Sequence, residues 1–119
     1  MLTLTLFPAE FRVLIQYLRF NTAGQDQVPL THQSVSMLLM IAYLKSISVK
    51  RLITWNARRN DKQFRFSLPL PIALAIYQDM QQALLTSHQQ LLLAKIDQAV
   101  INYRDPAQQA HALGELIGH

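Results

Sequence analysis

The sequence predicts an α+β fold that is mostly α: four to five helices, a β-hairpin over about 50–58 and 62–68, and a short N-terminal strand over 2–6. Three observations lead there. Apolar residues recur at helical spacing along most of the chain. The period switches to two at the N-terminus and again after Val49. Only three glycines and five prolines interrupt a chain that is 50% hydrophobic, which excludes a disordered or low-complexity polypeptide. At 119 residues there is length for one hydrophobic core, so 1–119 reads as a single domain.

Leu2, Leu4 and Leu6 alternate with Thr3 and Thr5, the pattern of a strand with one buried face. Pro8 suits a first helical position, and Glu10 falls in the first turn, where the helix dipole favours an anion. Phe11, Leu14, Ile15 and Leu18 then mark an amphipathic helix over 8–20. Residues 21–30 contain Gly24, Asp26 and Pro29 without periodicity and read as a loop. Thr31 is the expected N-cap of a helix running to about Ser46. The middle of that helix, 37–44, is apolar on every side and must be surrounded, by its own domain or by a second subunit.

From Val49 onward, Ile53, Trp55 and Ala57 alternate with Thr54, Asn56 and Arg58, while Phe64, Phe66 and Leu68 alternate with Arg65 and Ser67. A two-residue turn at Asn60 and Asp61 would set Ala57 against Phe64, Trp55 against Phe66 and Ile53 against Leu68, all on one face. Pro69 and Pro71 end the second strand, and Pro71 opens a helix over 71–85. Ser87 with Gln90 forms a capping-box pattern before a helix over 91–103. Asp105, Pro106 and Gln108 repeat the signal for a last short helix ending near Gly118.

Composition excludes several functions. The chain has no cysteine, which removes disulfide scaffolds, thiolate metal sites, cysteine nucleophiles and thiol redox chemistry. It has no phosphate-binding glycine loop, nucleophile elbow or dinucleotide fingerprint. The carboxylates Glu10, Asp26, Asp61, Asp79, Asp97, Asp105 and Glu115 are scattered and form no sequence-local pair for acid–base work. An enzyme, a cofactor and a small-molecule substrate are not expected. His111, Glu115 and His119 recur at intervals of four, which on a continuous helix would line one face. Gly118 and the chain end fall inside that pattern, where helices fray, so no metal site is assigned. His32 and His88 stand beside predicted helix starts and read as surface residues. The first eight residues have neither a basic leader nor a sustained apolar run. The longest apolar run, eight residues over 37–44, is far short of the roughly 20 that cross a bilayer. No membrane contact is expected, and a cytoplasmic setting is.

The charge is concentrated. Over 45–65 lie Lys45, Lys50, Arg51, Arg58, Arg59, Lys62 and Arg65 against Asp61 alone, within a chain of net charge +4. A positive patch on a mildly acidic body points to an anionic partner. Lys50, Arg51, Arg58, Arg59, Lys62 and Arg65 are the candidate contact residues, with Asn56 and Gln63 able to add hydrogen bonds. Trp55 falls on the apolar face and reads as core. The polar surface is otherwise built from amides, with thirteen Gln against two Glu, so another chain can approach with little repulsion. Met37, Met40 and Tyr43 are the candidate interface of a homodimer.

The order of elements partially resembles winged-helix DNA-binding domains: a helix, the short extended stretch Val28, Pro29 and Leu30, a helical region, then a hairpin with a basic tip. Such domains need two helices separated by a turn before the hairpin, the second lying in the major groove. Residues 31–49 contain no glycine or proline at the expected turn, and their middle is too apolar to face DNA. The expected function is therefore a non-enzymatic interaction or assembly module. It would self-associate through apolar helices and offer its basic hairpin to an acidic protein. The alternative is a nucleic-acid-binding protein that uses the hairpin on phosphates.

Overall fold

The computed structural model describes residues 1–103 of the chain. The element order is β1 (Leu2–Leu6), α1 (Pro8–Thr22), α2 (Val35–Ser46), α3 (Val49–Ala57), β2 (Phe64–Leu68), α4 (Leu70–Gln81) and α5 (Ser87–Asn102), with 3₁₀ turns at Gln25–Gln27 and Leu30–His32 between α1 and α2. The fold is α+β and mostly α, as the sequence predicts. The last short helix and the spacing of His111, Glu115 and His119 lie outside the described residues.

One prediction is overturned. Residues 50–58 do not form a strand; Val49–Ala57 is the helix α3. The partner of β2 is β1 instead, in an antiparallel register that sets Leu2 opposite Leu68, Leu4 opposite Phe66 and Leu6 opposite Phe64. This pairing places every apolar residue of both strands on one face and Thr3, Thr5, Arg65 and Ser67 on the other. A hairpin over 53–57 and 64–68 would separate apolar from polar side chains equally well, so the face pattern of β2 alone does not choose its partner. The hairpin's outer strand carried Lys50 and Arg51 with no alternating partner, whereas Leu2–Leu6 alternates without a break.

Helix starts are set by caps. The Glu10 carboxylate accepts from the Phe7 N–H at 2.8 Å and fixes the entry to α1. Lys95 on α5 reaches the same carboxylate at 2.6 Å and the Thr5 carbonyl at 3.1 Å, tying α5 to the β1–α1 junction. Ser34, not Thr31, caps α2, its Oγ accepting from the Met37 N–H at 3.1 Å. The capping box of α5 is Thr86 with Gln89, one residue before the predicted Ser87 and Gln90. Helix α4 ends at Gln81, short of the predicted Leu85.

The inner face of the sheet, α1, α2, α4 and α5 enclose a single hydrophobic cluster that includes Phe11, Leu14, Leu18, Met40, Phe66, Ile76 and Leu92. The apolar helix α2 packs between α1 and α4 and buries Met40 and Tyr43, but against expectation it is not surrounded among the described residues: Val35 is 73% exposed, Ala42 is exposed, and Leu38 and Ile41 are only half-buried. Two tyrosines brace the helices from the side. Tyr17 on α1 donates to Asp79 on α4, and Tyr77 on α4 donates to Asp97 on α5 at 2.7 Å. Burial and the Asp79 carboxylate together hold the Tyr17 phenol well above its ordinary ionisation range.

A raised phenol stabilises the fold only while unfolded tyrosine keeps its own proton. The contribution of Tyr17 is therefore complete below about pH 10 and is lost as pH rises further, because the unfolded chain ionises first. Denaturant titrations across that range should show stability falling with pH, and Tyr17→Phe should make the fall shallower.

Candidate functional site

The chain makes a second helix where the sequence offers no obvious breaker. Helix α2 ends with the Ile47 N–H bonded to the Leu44 carbonyl at 3.3 Å. Ile47 and Ser48 are both extended, with φ/ψ of −76/120° and −74/153°, so the reversal needs neither glycine nor proline. Ser48 then caps α3, its Oγ accepting from the Arg51 N–H at 3.1 Å. Two helices separated by a two-residue turn result.

Helix α3 is held by one face. The Trp55 ring stacks on Phe11 of α1 at 4.5 Å with 10° between planes, and meets Phe66 and Phe64 of β2 edge-on at 5.8 and 6.2 Å. The sequence was right that Trp55 is core and close to both phenylalanines, but a helix delivers it there. Leu52, one turn earlier, is half-buried beneath the same face. The opposite face is open. Val49 is 71% exposed and Ile53 63% exposed, and Lys50, Thr54, Asn56 and Ala57 are exposed beside them.

The six candidate contact residues do not act as one set. Arg58 lies over Trp55 at 4.4 Å and Phe64 at 4.5 Å, held between two rings. Its Nη1 is buried and has no hydrogen-bond partner among the described residues. Arg51 lies over Phe66 at 5.0 Å. It also stands close to the Tyr43 phenol, partly opposing the upward shift that burial imposes on that group. Both arginines thus serve the aromatic cluster first. Lys50, Arg59 and Lys62 are exposed, with Arg59 in a surface ion pair with Asp61 at 2.8 Å. Arg65 belongs to the outer face of the sheet, opposite Thr5 and away from the face that meets Trp55.

Helix α1 adds cations the sequence reading left out. Arg12 donates to the Asn60 Oδ1 at 3.2 Å and ties the loop after α3 to α1. Arg12, Gln16 and Arg19 share one side of α1 and, with Asn56, line a shallow hollow of about 150 Å³ between α1 and α3. Their spacing of four and three was visible as a polar helical stripe, but it lay outside the dense basic segment. Of the predicted oligomer residues, Met40 and Tyr43 are buried in the chain's own core, and Met37 is half-buried against it. Among the described residues no group of His, Asp or Glu could hold a metal ion, and no helix is long and apolar enough to cross a membrane. Comparison with protein families, curated proteins and solved structures finds no match.

Because α3 is a helix with Trp55 inward and Ile53 outward, the two residues should respond differently to truncation. Trp55→Ala should cost about 3–5 kcal/mol in denaturant unfolding, while Ile53→Ala should change stability by less than about 0.5 kcal/mol. A hairpin with both side chains on its buried face would make both substitutions costly.

Proposed function

We propose that this chain is a non-enzymatic, cytoplasmic nucleic-acid-binding protein that works through the outward face of α3. The observation that carries the reading is the two-sided character of this helix. One side is anchored by Trp55, and the other presents Lys50, Ile53, Thr54 and Asn56 to solvent. Further cations belong to the neighbouring segments: Arg59 and Lys62 are exposed in the loop after α3, and Arg12 and Arg19 on α1 line a hollow shared with Asn56. Among the described residues, ion pairs involve only Arg59 and Lys95, so Lys50 and Lys62 have no carboxylate partner. Unpaired cations on a projecting helix suit phosphate contact, where each neutralised phosphate releases condensed counterions.

This reading reverses the order expected from sequence. Assembly was favoured there because the apolar segment 37–44 looked wrong for a recognition helix. Helix α2 packs Met40 and Tyr43 into the core, whereas α3 is a separate helix whose outer face carries Lys50, Thr54 and Asn56.

Self-association remains a second reading, on a different surface from the one first expected. Phe20 is 84% exposed and Leu84 is fully exposed, and both border one hollow of about 310 Å³ at the meeting of α1 and the α4–α5 connection. Large apolar side chains paired across a hollow suit a two-fold contact. Sedimentation of Phe20→Ser beside the parent chain tests this reading, which requires the substituted chain to be the smaller species.

Fluorescence anisotropy of labelled oligonucleotides over a range of salt tests the main proposal. The log–log salt slope should be about −4, at about 0.9 per phosphate neutralised. Replacing Lys50, Arg59 and Lys62 together by Gln should flatten it to about −1, while Arg65→Gln should leave it nearly unchanged. Absence of binding at low salt contradicts the proposal and leaves an acidic protein as the partner of the same cations.

A further inference from the structure

We infer that the open edge of β1 is where a second copy of this chain docks, the two β1 strands pairing antiparallel about a two-fold axis at Thr3 to make one four-stranded sheet. The inference goes beyond the nucleic-acid reading and uses a different part of the molecule.

The sheet and its surroundings carry the first part. Among the described residues the sheet has two strands, and β1 pairs with β2 along one edge. Its other edge lies along a groove of about 500 Å³ that runs from Met1 to Thr5 and has Lys95, Gln98, Ala99 and Asn102 of α5 as its far wall. An exposed strand edge is a template for another strand. An edge beside a helical wall is the geometry in which an extended segment adds to a sheet.

The backbone groups that face the groove set the register. Lys95 Nζ donates to the Thr5 carbonyl at 3.1 Å from across the groove, so that carbonyl points away from β2. Alternate residues of a strand turn their backbone groups to the same side. The Met1 carbonyl, both polar groups of Thr3 and the Thr5 N–H therefore face the groove too. A two-fold axis at Thr3 matches them completely. Each Thr3 exchanges two bonds with the partner's Thr3, and each Thr5 N–H meets the partner's Met1 carbonyl. The Thr5 carbonyl stays with Lys95.

Side chains and charge point to a second copy as the occupant. A strand added here must place apolar side chains on the core side beside Leu2 and Leu4, and small polar ones outward beside Thr3. In the register above, β1 does both: Leu2 lies opposite the partner's Leu4, and Thr3 opposite the partner's Thr3, pairings that stabilise antiparallel sheets. Charge does not oppose the approach. Among the described residues the one charged side chain in the groove is Lys95, and Glu10 neutralises it at 2.6 Å. The area sets the strength. Ten residues line the groove, against about 20–30 on each side of a standard interface. The dimer is therefore weak, with a dissociation constant on the order of 10–100 μM.

Sedimentation equilibrium of the full chain, at concentrations on either side of that value, should give a monomer–dimer equilibrium. Thr3→Pro removes an N–H that faces the groove and spares the β1–β2 ladder. Two symmetric bonds are lost at once, so dimerisation should weaken by at least about tenfold, with circular dichroism and Trp55 emission unchanged. Phe20→Ser should leave the dimer intact, which separates it from association through the hollow at the α4–α5 connection. In the unsubstituted chain, hydrogen exchange at the Thr3 amide should slow severalfold as concentration rises through the dissociation constant, while the Leu4 amide, turned to β2, changes little. Should Thr3→Pro disturb the fold, that exchange measurement decides alone. A monomer at every concentration overturns the inference. So does a folded Thr3→Pro chain that dimerises as tightly as the parent, or a Thr3 amide whose exchange does not vary with concentration.

Discussion

The stack of Trp55 on Phe11, closed by Phe66 and Phe64, joins three elements that are distant in sequence: α1, α3 and β2. Helix α3 has nine residues, well below the length at which an isolated helix holds in water. Its only caps are Ser48 at one end and a single backbone bond from Arg58 to Trp55 at the other. What keeps it helical is the burial of Trp55, with ring contacts favourable beyond the area they cover. The orientation of its open face follows from that anchor, because a helix pinned on one side can present only the other.

The same cluster sorts the charges. Arg51 and Arg58 lie on aromatic faces and become part of the packing. The carboxylates are drawn elsewhere: Glu10 to Lys95, Asp79 to Tyr17, Asp97 to Tyr77. Among the described residues, Asp61 is the carboxylate paired within the basic segment, with Arg59. The placement of a few acids thus leaves Lys50 and Lys62 without an ion pair among the described residues. Arg12 and Arg19 are supplied by a helix packed against α3.

Much of this was legible in the residues. Alternation in Leu2–Leu6 gave the strand, Pro8 and Glu10 gave the start of α1, and the apolar stretch 37–44 gave the helix α2, though it overstated how far that helix is enclosed. The failure at 49–57 has a specific cause. Ile53, Trp55 and Ala57 alternate, but so short a window also fits a helix with Leu52 and Trp55 on one face, and periodicity alone does not separate the two. The deciding signals were Ser48 as a cap and a better partner for β2 at the N-terminus, where Leu6 pairs with Phe64 across 57 intervening residues and no local turn announces the pairing. The turn at Ile47 and Ser48 left no mark because ordinary extended residues make it. The density of basic residues over 45–65 is plain in the sequence and Arg65 does lie on a polar strand face, yet a two-residue period grouped it with the cations of α3 and hid the open face of that helix. Arg12 and Arg19 were missed because sequence density, not helical spacing, defined the patch.

Backbone NMR of the labelled chain, titrated with duplex DNA at low salt, tests the central claim most directly. Residues 49–57 should show helical carbon shifts in the free protein. On titration the largest amide changes should fall on Val49, Lys50, Ile53, Thr54 and Asn56, with the loop through Lys62 next and α5 nearly silent. Extended-chain shifts over 49–57, or changes centred on Arg65 and the outer face of the sheet, would contradict the account.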